Sequence, residues 1–378
     1  MSWVAKRLDQ LGTVSRGRSR HRPRDAAHLY GGPHPFIQTG DVKHAGLYIN
    51  SFTQTYTEAG LEQSKLWPAG TLCITIAANI ADTAILGIDA CFPDSVIGFI
   101  ADPAHADTRF IKYLFDATIK NRAQQFSQGA TQDNLSQEKL LSLEFAIPSV
   151  AEQKRIANVL SAYDDLIDNN RRRMALLEDS ARQLYREWFV RLHFPGHEHT
   201  PIVDGVPQGW ERAPLESALV LQRGFDLPTQ DRQDGNVPIY GSTGILGYHD
   251  KAKAVAPGVV TGRSGTLGEV TYVDEDYWPL NTSLWVKEFK RVTPLFALFL
   301  LREMDLKQFN GGASVPTLDR KSVHRVDVLI PADTMLRAFD DFAVDTFAQV
   351  KKLESQSQKL RQARDLLLPR LMNGELAV

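Results

Sequence analysis

Residues 128–148, QGATQDNLSQEKLLSLEFAIP, align without gaps with residues 311–331, GGASVPTLDRKSVHRVDVLIP. Identical residues recur 183 positions apart, among them the pairs Gly129 and Gly312, Ala130 and Ala313, Leu135 and Leu318, and Pro148 and Pro331. Similarity at a fixed separation is the sequence signature of a duplicated structural unit. In a chain of 378 residues it predicts two copies of one domain.

A second match extends the repeat toward the start of the chain. Residues 2–17, SWVAKRLDQLGTVSRG, align with residues 209–224, GWERAPLESALVLQRG, at a separation of 207. This match pairs Trp3 with Trp210, Leu8 with Leu215, Arg16 with Arg223 and Gly17 with Gly224. Both matches keep their order along the chain while the separation falls by 24. The first copy therefore carries about that many extra residues in its loops.

Each copy has the composition of short strands joined by turns. The runs rich in β-formers and bounded by Gly, Pro or Asp are PFIQTGDV, TLCITIAA and DTAILGI in the first copy, and NVPIYG, GVVTG, GEVTYV and SLWVKEF in the second. A short apolar helix, RFIKYLFDATIK or LFALFLLREMDL, is predicted before each matched segment. The repeated unit is therefore predicted to be an α+β domain.

A long helix is predicted after each copy. Ser149 followed by Glu152 forms a capping box at the start of the first helix. Apolar or small residues then recur at alternating steps of three and four, which predicts a coiled-coil seam. The seam residues are Ile156, Val159, Tyr163, Leu166, Asn170, Met174, Leu177, Ala181, Leu184 and Trp188, then Phe339, Phe342, Thr346, Val350, Leu353, Ser357, Leu360, Ala363, Leu367 and Leu371. The second helix contains Pro369 in its last turn and is predicted to stop at Asn373-Gly374.

These patterns divide the chain into five parts. The predicted parts are a first domain at 1–148, a long helix at 149–194, a linker at 195–208, a second domain at 209–331, and a second long helix with its tail at 332–378. Helices of about 40 residues would be roughly 60 Å long. An antiparallel pair that acts as a spacer explains that length better than two helices buried in separate cores.

Composition limits the classes of protein. A hydrophobic content of 43% and a charged content of 23% are typical of a folded domain protein. No window approaches about 18 unbroken apolar residues and the start lacks an apolar signal core, so we expect a cytoplasmic protein. The net charge of −2 argues against indiscriminate coating of nucleic acid, yet basic residues cluster within residues 1–24. Cys73 and Cys91 lack metal-type spacing.

At this point the residues resemble a known family, the specificity subunits of type I restriction-modification enzymes. The resemblance covers nearly the whole chain and is carried most specifically by AEQKRIANVLSAYDDLIDNNRR at 151–172 and RDLLLPRLMNGEL at 364–376. The second copy departs from the family pattern because ADTMLRAF replaces the EQKRI segment.

The resemblance implies a function in DNA recognition. Each domain would be a target-recognition domain that reads one half of a split, asymmetric double-stranded DNA target, and the helices would fix the unread gap between the halves. Two modification subunits, which bind S-adenosylmethionine and methylate adenine, would dock mainly on the helices. Restriction subunits, which use ATP and magnesium, would join them for phage defence. This chain itself would bind no cofactor.

Base recognition requires side chains with paired donors or acceptors, and Lys or Arg to hold phosphates. The segments 240–253 and 261–269 combine glycine-rich turns with such residues. The candidate DNA contacts in the second domain are Arg223, Tyr240, Ser242, Thr243, Tyr248, Lys251, Lys253, Arg263 and Ser264, and those in the first are Arg16, Arg18, Arg20, Gln38, Thr39 and Lys65. Ordinary hairpin turns are the alternative interpretation of these loops. Arg16 and Arg223 follow similar strands, which favours equally a shared phosphate contact and a shared ion pair.

Tyr185, Trp188 and Phe189 are the candidate partner-binding residues, because their large apolar surface has no evident partner along the predicted seam. Catalytic motifs are missing: there is no N-P-P-(Y/F) tetrapeptide, no G-x-x-x-x-G-K-(S/T) phosphate loop and no H-E-x-x-H helix. His193, His197 and His199 lie in a predicted linker and more closely resemble exposed residues than metal ligands. We therefore expect no metal site and no catalytic residue.

Three alternatives remain open. A single-chain restriction-methylation enzyme would need a methyltransferase domain, for which this length has no room. A coiled-coil scaffold that binds only protein would not need two elaborate β-rich domains. The chain could also be the recognition part of a methyltransferase-only system.

Overall fold

Two sets of short strands, related by the sequence repeat, form the core of the computed structural model. The structure describes residues 3–77, 80–120, 136–312 and 314–378. The chain divides into two compact units: unit 1 comprises Met1–Arg172 and Leu353–Val378, and unit 2 comprises Arg173–Lys352. The sequence matches at Gly129, Ala130, Leu135 and Ala313 lie outside the described residues.

Unit 1 contains the first copy of the repeat. Its strands are β1 Val4–Lys6, β2 Gly12–Arg16, β3 Tyr30–Phe36, β4 Tyr48–Ile49, β5 Gln54–Tyr56, β6 Leu66–Trp67, β7 Leu72–Thr75, β8 Thr83–Leu86, β9 Ala90–Cys91, β10 Val96–Ala101 and β11 Phe145–Ile147. Its short helices are α1 Thr39–His44, α2 Glu58–Glu62, α3 Thr108–Phe115 and α4 Gln137–Ser142. The strands form a five-stranded sheet β2-β10-β7-β8-β4, a four-stranded sheet β5-β3-β9-β6 and the pair β1-β11.

Unit 2 contains the second copy. Its strands are β12 Ile202–Val203, β13 Val206–Pro207, β14 Glu211–Pro214, β15 Leu219–Arg223, β16 Val237–Gly241, β17 Gly244–His249, β18 Gly258–Gly262, β19 Val270–Val273, β20 Trp278–Pro279, β21 Ser283–Phe289 and β22 Asp327–Ile330. Its short helices are α5 Leu215–Ala218, α6 Pro294–Glu303 and α7 Arg320–His324. The strands form the sheets β15-β21-β18-β19 and β17-β16-β20 and the pairs β14-β22 and β12-β13.

The two copies share one strand framework. Antiparallel pairing places Arg16 opposite Ile97 in unit 1 and Arg223 opposite Leu284 in unit 2. Parallel pairing joins β3 to β9 and β16 to β20. The repeated glycine after each arginine has a physical reason, because a Cβ on Gly17 would lie 2.3 Å from Pro93 O and one on Gly224 would lie 2.2 Å from Leu280 O, just beyond the ends of β9 and β20. The predicted α+β duplication is therefore confirmed.

Most of the length difference between the copies lies in one connection. Residues 37–53 join β3 to β5, whereas residues 242–243 join the equivalent strands β16 and β17. The longer connection contains α1 and β4, and β4 pairs with β8 as an added fifth strand. The prediction of a strand throughout PFIQTGDV is wrong, because α1 begins at Thr39. A reciprocal cap between Gln38 and Asp41, with Gln38 N donating to Asp41 Oδ2 at 2.8 Å, favours the helix there.

The two long helices lie where the sequence predicts them. The first, α8, spans Val150–Tyr185 and continues as a π-helical segment to Val190, while the second, α9, spans Asp333–Met372. Ser149 Oγ accepts a hydrogen bond from Glu152 N, as the predicted cap requires. Gly374 follows the end of α9 with a φ of +76°, so the predicted stop is confirmed.

Contacts inside each unit show that the helices run antiparallel. In unit 1 the guanidinium of Arg364 in α9 donates to the carboxylate of Asp164 in α8. Tyr113 OH donates to the same carboxylate at 2.5 Å, and burial raises the pKa of this tyrosine above its usual range. In unit 2 the ring of Tyr185 lies 6.0 Å from that of Phe339. Thus the start of one helix packs beside the end of the other.

The predicted seam is correct at most positions and wrong at two. Ile156, Ala181 and Leu353 are buried, whereas Leu166 is 53% exposed and Phe342 is 42% exposed. At both places the seam residue fits the spacing, but its neighbour in the sequence is the more buried one: Ala343 is fully buried and Ile167 is half-buried. A continuous coiled coil and the five domain boundaries stay predictions.

Each unit has its own hydrophobic core. In unit 1, residues of α3 and both long helices pack beneath the five-stranded sheet, among them Phe110, Leu160, Leu371 and Met372. In unit 2, helix α6 packs against the four-stranded sheet and the facing halves of α8 and α9. Within the described residues, we find no helix whose length and hydropathy would suit a membrane span.

Candidate nucleic-acid interface

Three loops of unit 2 meet at one end of its strand framework. The backbone amides of Arg263 and Ser264 donate to the oxygen of Thr282 at 2.9 and 3.1 Å. A Cβ on Gly262 would lie 3.0 Å from Ser242 O, which shows how closely the β18–β19 loop approaches the β16–β17 turn. Three predicted contacts, Ser242, Arg263 and Ser264, are therefore brought together.

A cavity of about 270 Å³ lies between the β16–β17 turn and strand β19. Its walls include Tyr240, Ser242, Thr243, Thr266, Glu269 and Thr271. Tyr240 is only 7% exposed, and its ring packs 5.8 Å from that of Tyr277. Tyr240 thus belongs largely to the domain core and reaches the cavity only as part of its wall, and its contact with DNA stays a prediction.

A second cavity, of about 320 Å³, lies beside the end of β17. Lys251, Lys253, His249 and Trp278 contribute to its walls. Lys253 Nζ lies 5.2 Å from the centroid of the Trp278 ring, a cation–π distance. Tyr248 is exposed on the same strand. These positions leave Tyr248, Lys251 and Lys253 accessible to a ligand.

Arg16 and Arg223 occupy equivalent ends of β2 and β15, and both are exposed. Arg16 Nε donates to the backbone oxygen of Asp94 at 2.9 Å, whereas Arg223 Nη2 lies 3.4 Å from Asp226 Oδ1. The two partners differ in kind and neither arrangement is buried. The shared feature is therefore an exposed guanidinium at the end of a strand.

The candidates of unit 1 differ in accessibility. Arg20 and Lys65 are exposed, and Lys65 Nζ lies 3.7 Å from the centroid of the Trp67 ring. Gln38 and Thr39 are half-buried at the start of α1. Arg18 instead has a structural contact, because its Nε donates to Ser64 O at 2.6 Å while Ser64 Oγ donates back to Arg18 O. Arg18 thus has a structural contact and Tyr240 is buried. For the whole candidate set, contact with DNA stays a prediction.

Comparison with known proteins identifies the family. Residues 1–179 match the family described as type I restriction modification DNA specificity domain. Along its whole length the chain is 24% identical to the type I restriction enzyme MjaIX specificity subunit of Methanocaldococcus jannaschii, of which it covers 94%. Residues 1–179 of this chain belong to that DNA specificity domain family, and the whole chain is similar to specificity subunits of type I restriction enzymes.

Other similar proteins are also subunits of type I restriction systems. The HindI specificity subunit of Haemophilus influenzae is 18% identical, with 74% of this chain and 80% of the relative aligned. The crystal structure of the S subunit from M. genitalium shares the fold, with a TM-score of 0.60, 17% identity, and coverage of 98% of this chain and 96% of that one.

Tyr185, Trp188 and Phe189 were predicted to bind a partner protein because their rings lacked a partner within the chain. That premise is wrong. Tyr185 and Phe189 are 3% and 7% exposed, and both pack in the core of unit 2 against Phe296 and Phe339. Burial also raises the pKa of Tyr185 above its usual range. Trp188 is half-buried against the same core. The seam pattern did not predict these contacts, because the domain that packs on the rings is distant from them in the sequence.

Histidines of this chain contact neighbouring carboxylates and backbone groups. His193 Nδ1 lies 3.2 Å from Glu187 Oε2, an interaction that lowers the pKa of this carboxyl. His324 is buried, its Nε2 accepts a hydrogen bond from Leu221 N at 3.0 Å, and burial lowers its pKa. In the parts of the chain that the structure describes, no group of three or more His, Cys, Asp or Glu residues could hold a metal. Burial raises the pKa of both cysteine thiols.

Sequence reasoning missed three residues beside the loops of unit 2. Arg232 Nη1 donates to Leu246 O at 3.4 Å, Lys307 lies beside Gly268, and Glu269 forms part of the first cavity. Glu269 stands in the segment TGRSGTLGE and could have been selected for its ability to accept hydrogen bonds from a base. Arg232 and Lys307 lie outside both loop segments in the sequence, so no motif pointed to them.

Proposed function

We propose that this chain is the DNA-reading, non-catalytic subunit of a type I restriction-modification enzyme and that each unit reads one half of a split, asymmetric double-stranded target. The observation that carries the proposal is one strand framework, present twice, with different residues at equivalent loops. Gln38 and Thr39 follow β3, whereas Ser242 and Thr243 follow the equivalent strand β16. Two domains with the same framework but different loop residues are suited to the recognition of two different DNA sequences.

The loops of unit 2 offer both kinds of contact that such reading requires. Arg263 Nη1 donates to Asn281 O at 2.8 Å, which holds the guanidinium near the loop tip, and Lys253 extends over an aromatic face. Cationic groups of this kind hold phosphates, while Ser242 and Thr243 can exchange hydrogen bonds with base edges. We assign the exposed cations to phosphates and the hydroxyls beside the first cavity to bases.

The partners would supply the chemistry. We propose two modification subunits, which bind S-adenosylmethionine, and restriction subunits, which use ATP and magnesium, while this chain holds no cofactor. Such an enzyme would act on DNA in the cytoplasm and serve in phage defence. The long helices would form a coiled-coil spacer that fixes the gap between the two half-sites.

The modification subunits would dock on the apolar residues that the helices leave exposed. Leu176 is 69% exposed on α8, and Phe342 and Val344 are exposed on α9. Exposed apolar side chains on a helix face are suited to a partner interface, where truncation of an anchor residue costs about 2 kcal/mol or more. This assignment replaces Tyr185 and Phe189 as anchors.

We expect the double variant Leu176→Ala and Phe342→Ala to bind the modification subunit at least about 30-fold more weakly, since about 2 kcal/mol corresponds to that change in Kd. Both residues belong to unit 2, so its thermal unfolding controls for structural damage. Val203→Ala, another exposed apolar residue of unit 2 but outside the helices, is the matched control. Equal affinity of both proteins for the modification subunit would place the docking face elsewhere.

The function is tested by exchanging residues 209–330 for the matching domain of a relative. We expect one half of the methylated target to change while the other half and the gap stay the same, because unit 2 has its own core. Methylome sequencing of a host that carries the enzyme measures all three features together. A target altered in both halves would contradict the assignment of one half to each unit, and methylation that does not depend on this chain would favour a protein-binding scaffold. Restriction of unmodified DNA by the assembled enzyme would exclude a methyltransferase-only system.

A further inference from the structure

The cavity between the β16–β17 turn and β19 is built by close backbone approach. A Cβ on Gly262 would lie 1.9 Å from Thr266 O and 3.0 Å from Ser242 O, so only glycine allows the walls to meet there. A Cβ on Gly241 would lie 2.3 Å from Leu246 Cδ1. The volume of about 270 Å³ is sufficient for the edge of one nucleobase.

The lining of this cavity is rich in hydroxyl groups and includes an acidic residue. Hydroxyls come from Ser242, Thr243, Thr266 and Thr271, and the carboxylate comes from Glu269. Among the described residues that line it, none is lysine or arginine. An ionised carboxylate accepts hydrogen bonds and donates none. The cavity therefore favours a ligand edge with N–H donors and disfavours a phosphate.

The region of unit 1 that is equivalent to this cavity is apolar. The strand register makes Ile37, Cys73 and Ala84 the equivalents of Tyr240, Val260 and Thr271. In unit 1 these positions form one buried cluster with Val42 of α1 and Ile49 of β4. The connection that carries α1 and β4 is absent from unit 2, where a threonine replaces the alanine. The cavity of unit 2 therefore has Thr271 where unit 1 has a buried alanine, beside the apolar Val260, and packing alone does not require the threonine hydroxyl.

Two basic residues, Lys307 and Arg232, lie near the cavity, and neither forms part of its lining. A Cβ on Gly268, the neighbour of Glu269, would lie 3.2 Å from Lys307 Cε, and Lys307 is exposed. Arg232 reaches the backbone of the β17 hairpin at Leu246. A carboxylate on the cavity wall with basic groups nearby matches a nucleic-acid chain, whose bases can offer amino groups and whose phosphates are anionic.

We propose that this cavity receives the edge of one base that bears an exocyclic amino group, the N6 of adenine or the N4 of cytosine, and that Glu269 accepts the hydrogen bond from that group. Carboxylate acceptors are suited to such amino groups. Glu269 is then a specificity-determining residue of the half-site read by unit 2. The inference rests on the proposed function and deepens it.

The test compares Glu269→Gln with wild type in the assembled enzyme. The glutamine amide both donates and accepts, so we expect the preference for an amino-bearing base to fall by about tenfold or more at one position of one half-site. Methylome sequencing identifies the position, and binding to duplexes varied at that position measures the preference. The other half-site and the gap should not alter.

Two further variants make the outcome decisive. Glu275→Gln, on the exposed turn after β19, changes the same charge outside the cavity and should leave the target unchanged. Thr271→Val keeps the side-chain shape but removes a lining hydroxyl, and should affect the same position as Glu269→Gln. An unchanged target, an even loss of methylation at all sites, or a change in the other half-site would overturn the proposal. If wild type itself directs no methylation of a split target, the proposed function fails first, and the two failures are thereby distinguished.

Discussion

Inserting four residues into each long helix is expected to lengthen the unread gap of the DNA target by about one to two base pairs and to abolish methylation of the original target. Four residues add about 6 Å to a helix, and DNA rises about 3.4 Å per base pair along each strand. The insertion points are after Arg172, close to Asn170, and after Lys352, immediately before Leu353. Both lie at the boundaries between the two units, so neither core is interrupted.

The sequence of each half-site should stay the same in this double insertion, because the reading loops are untouched. Methylome sequencing gives the half-sites and the gap in one measurement. The matched control inserts the same four residues in the segment 195–208, which lies outside both long helices and should leave the gap unaltered. A gap that stays the same after the double insertion would show that the helices do not set it.

Phe339→Ala is expected to lower the free energy of unfolding of unit 2 by about 3 to 5 kcal/mol. The Phe339 side chain is fully buried, and its ring lies 5.4 Å from Phe189 and 6.0 Å from Phe299. Removing it leaves a void among aromatic rings that cannot close completely. Thermal or urea unfolding measures the loss.

Phe342→Ala is the matched control, three residues further along the same helix. Its ring is substantially exposed, so we expect a change below about 1 kcal/mol. The pair separates the two roles of aromatic residues on α9: loss of Phe339 should weaken the fold, and loss of Phe342 should weaken binding of the modification subunit. Equal destabilisation by both variants would contradict the packing described for this helix.

The framework could be predicted from the sequence because its signals are local and repeated. Glycine and proline mark the turns of both copies, and the capping residue Ser149 marks the start of α8. The helix α1 was missed because it begins inside a strand-like run, PFIQTGDV. The reciprocal cap between Gln38 and Asp41 that favours the helix forms only when the backbone there is already helical. Leu166 and Phe342 were placed in the seam because their apolar side chains fit a spacing of three or four, which does not decide between adjacent residues such as Phe342 and the buried Ala343.

The candidate site could be predicted at the level of loops but not of individual side chains. Segments 240–253 and 261–269 do surround cavities of unit 2. Whether a residue in such a segment is exposed depends on partners far away in the sequence, as for Arg18 with Ser64 and Tyr240 with Tyr277. The same reason explains Tyr185 and Phe189, whose partners Phe296 and Phe339 lie more than a hundred positions along the chain.

The composition of unit 1 has a consequence for the order in which the chain acquires its structure. Leu371 and Met372 belong to the core that also contains Phe110 and Leu160, and they follow the whole of unit 2 in the sequence. During synthesis, residues 1–172 leave the ribosome without the segment that completes their core, whereas unit 2 is continuous and can close as soon as Lys352 has emerged. The domain made first is therefore finished last, and until then its exposed apolar face is the part of the newborn chain most open to aggregation and to chaperones.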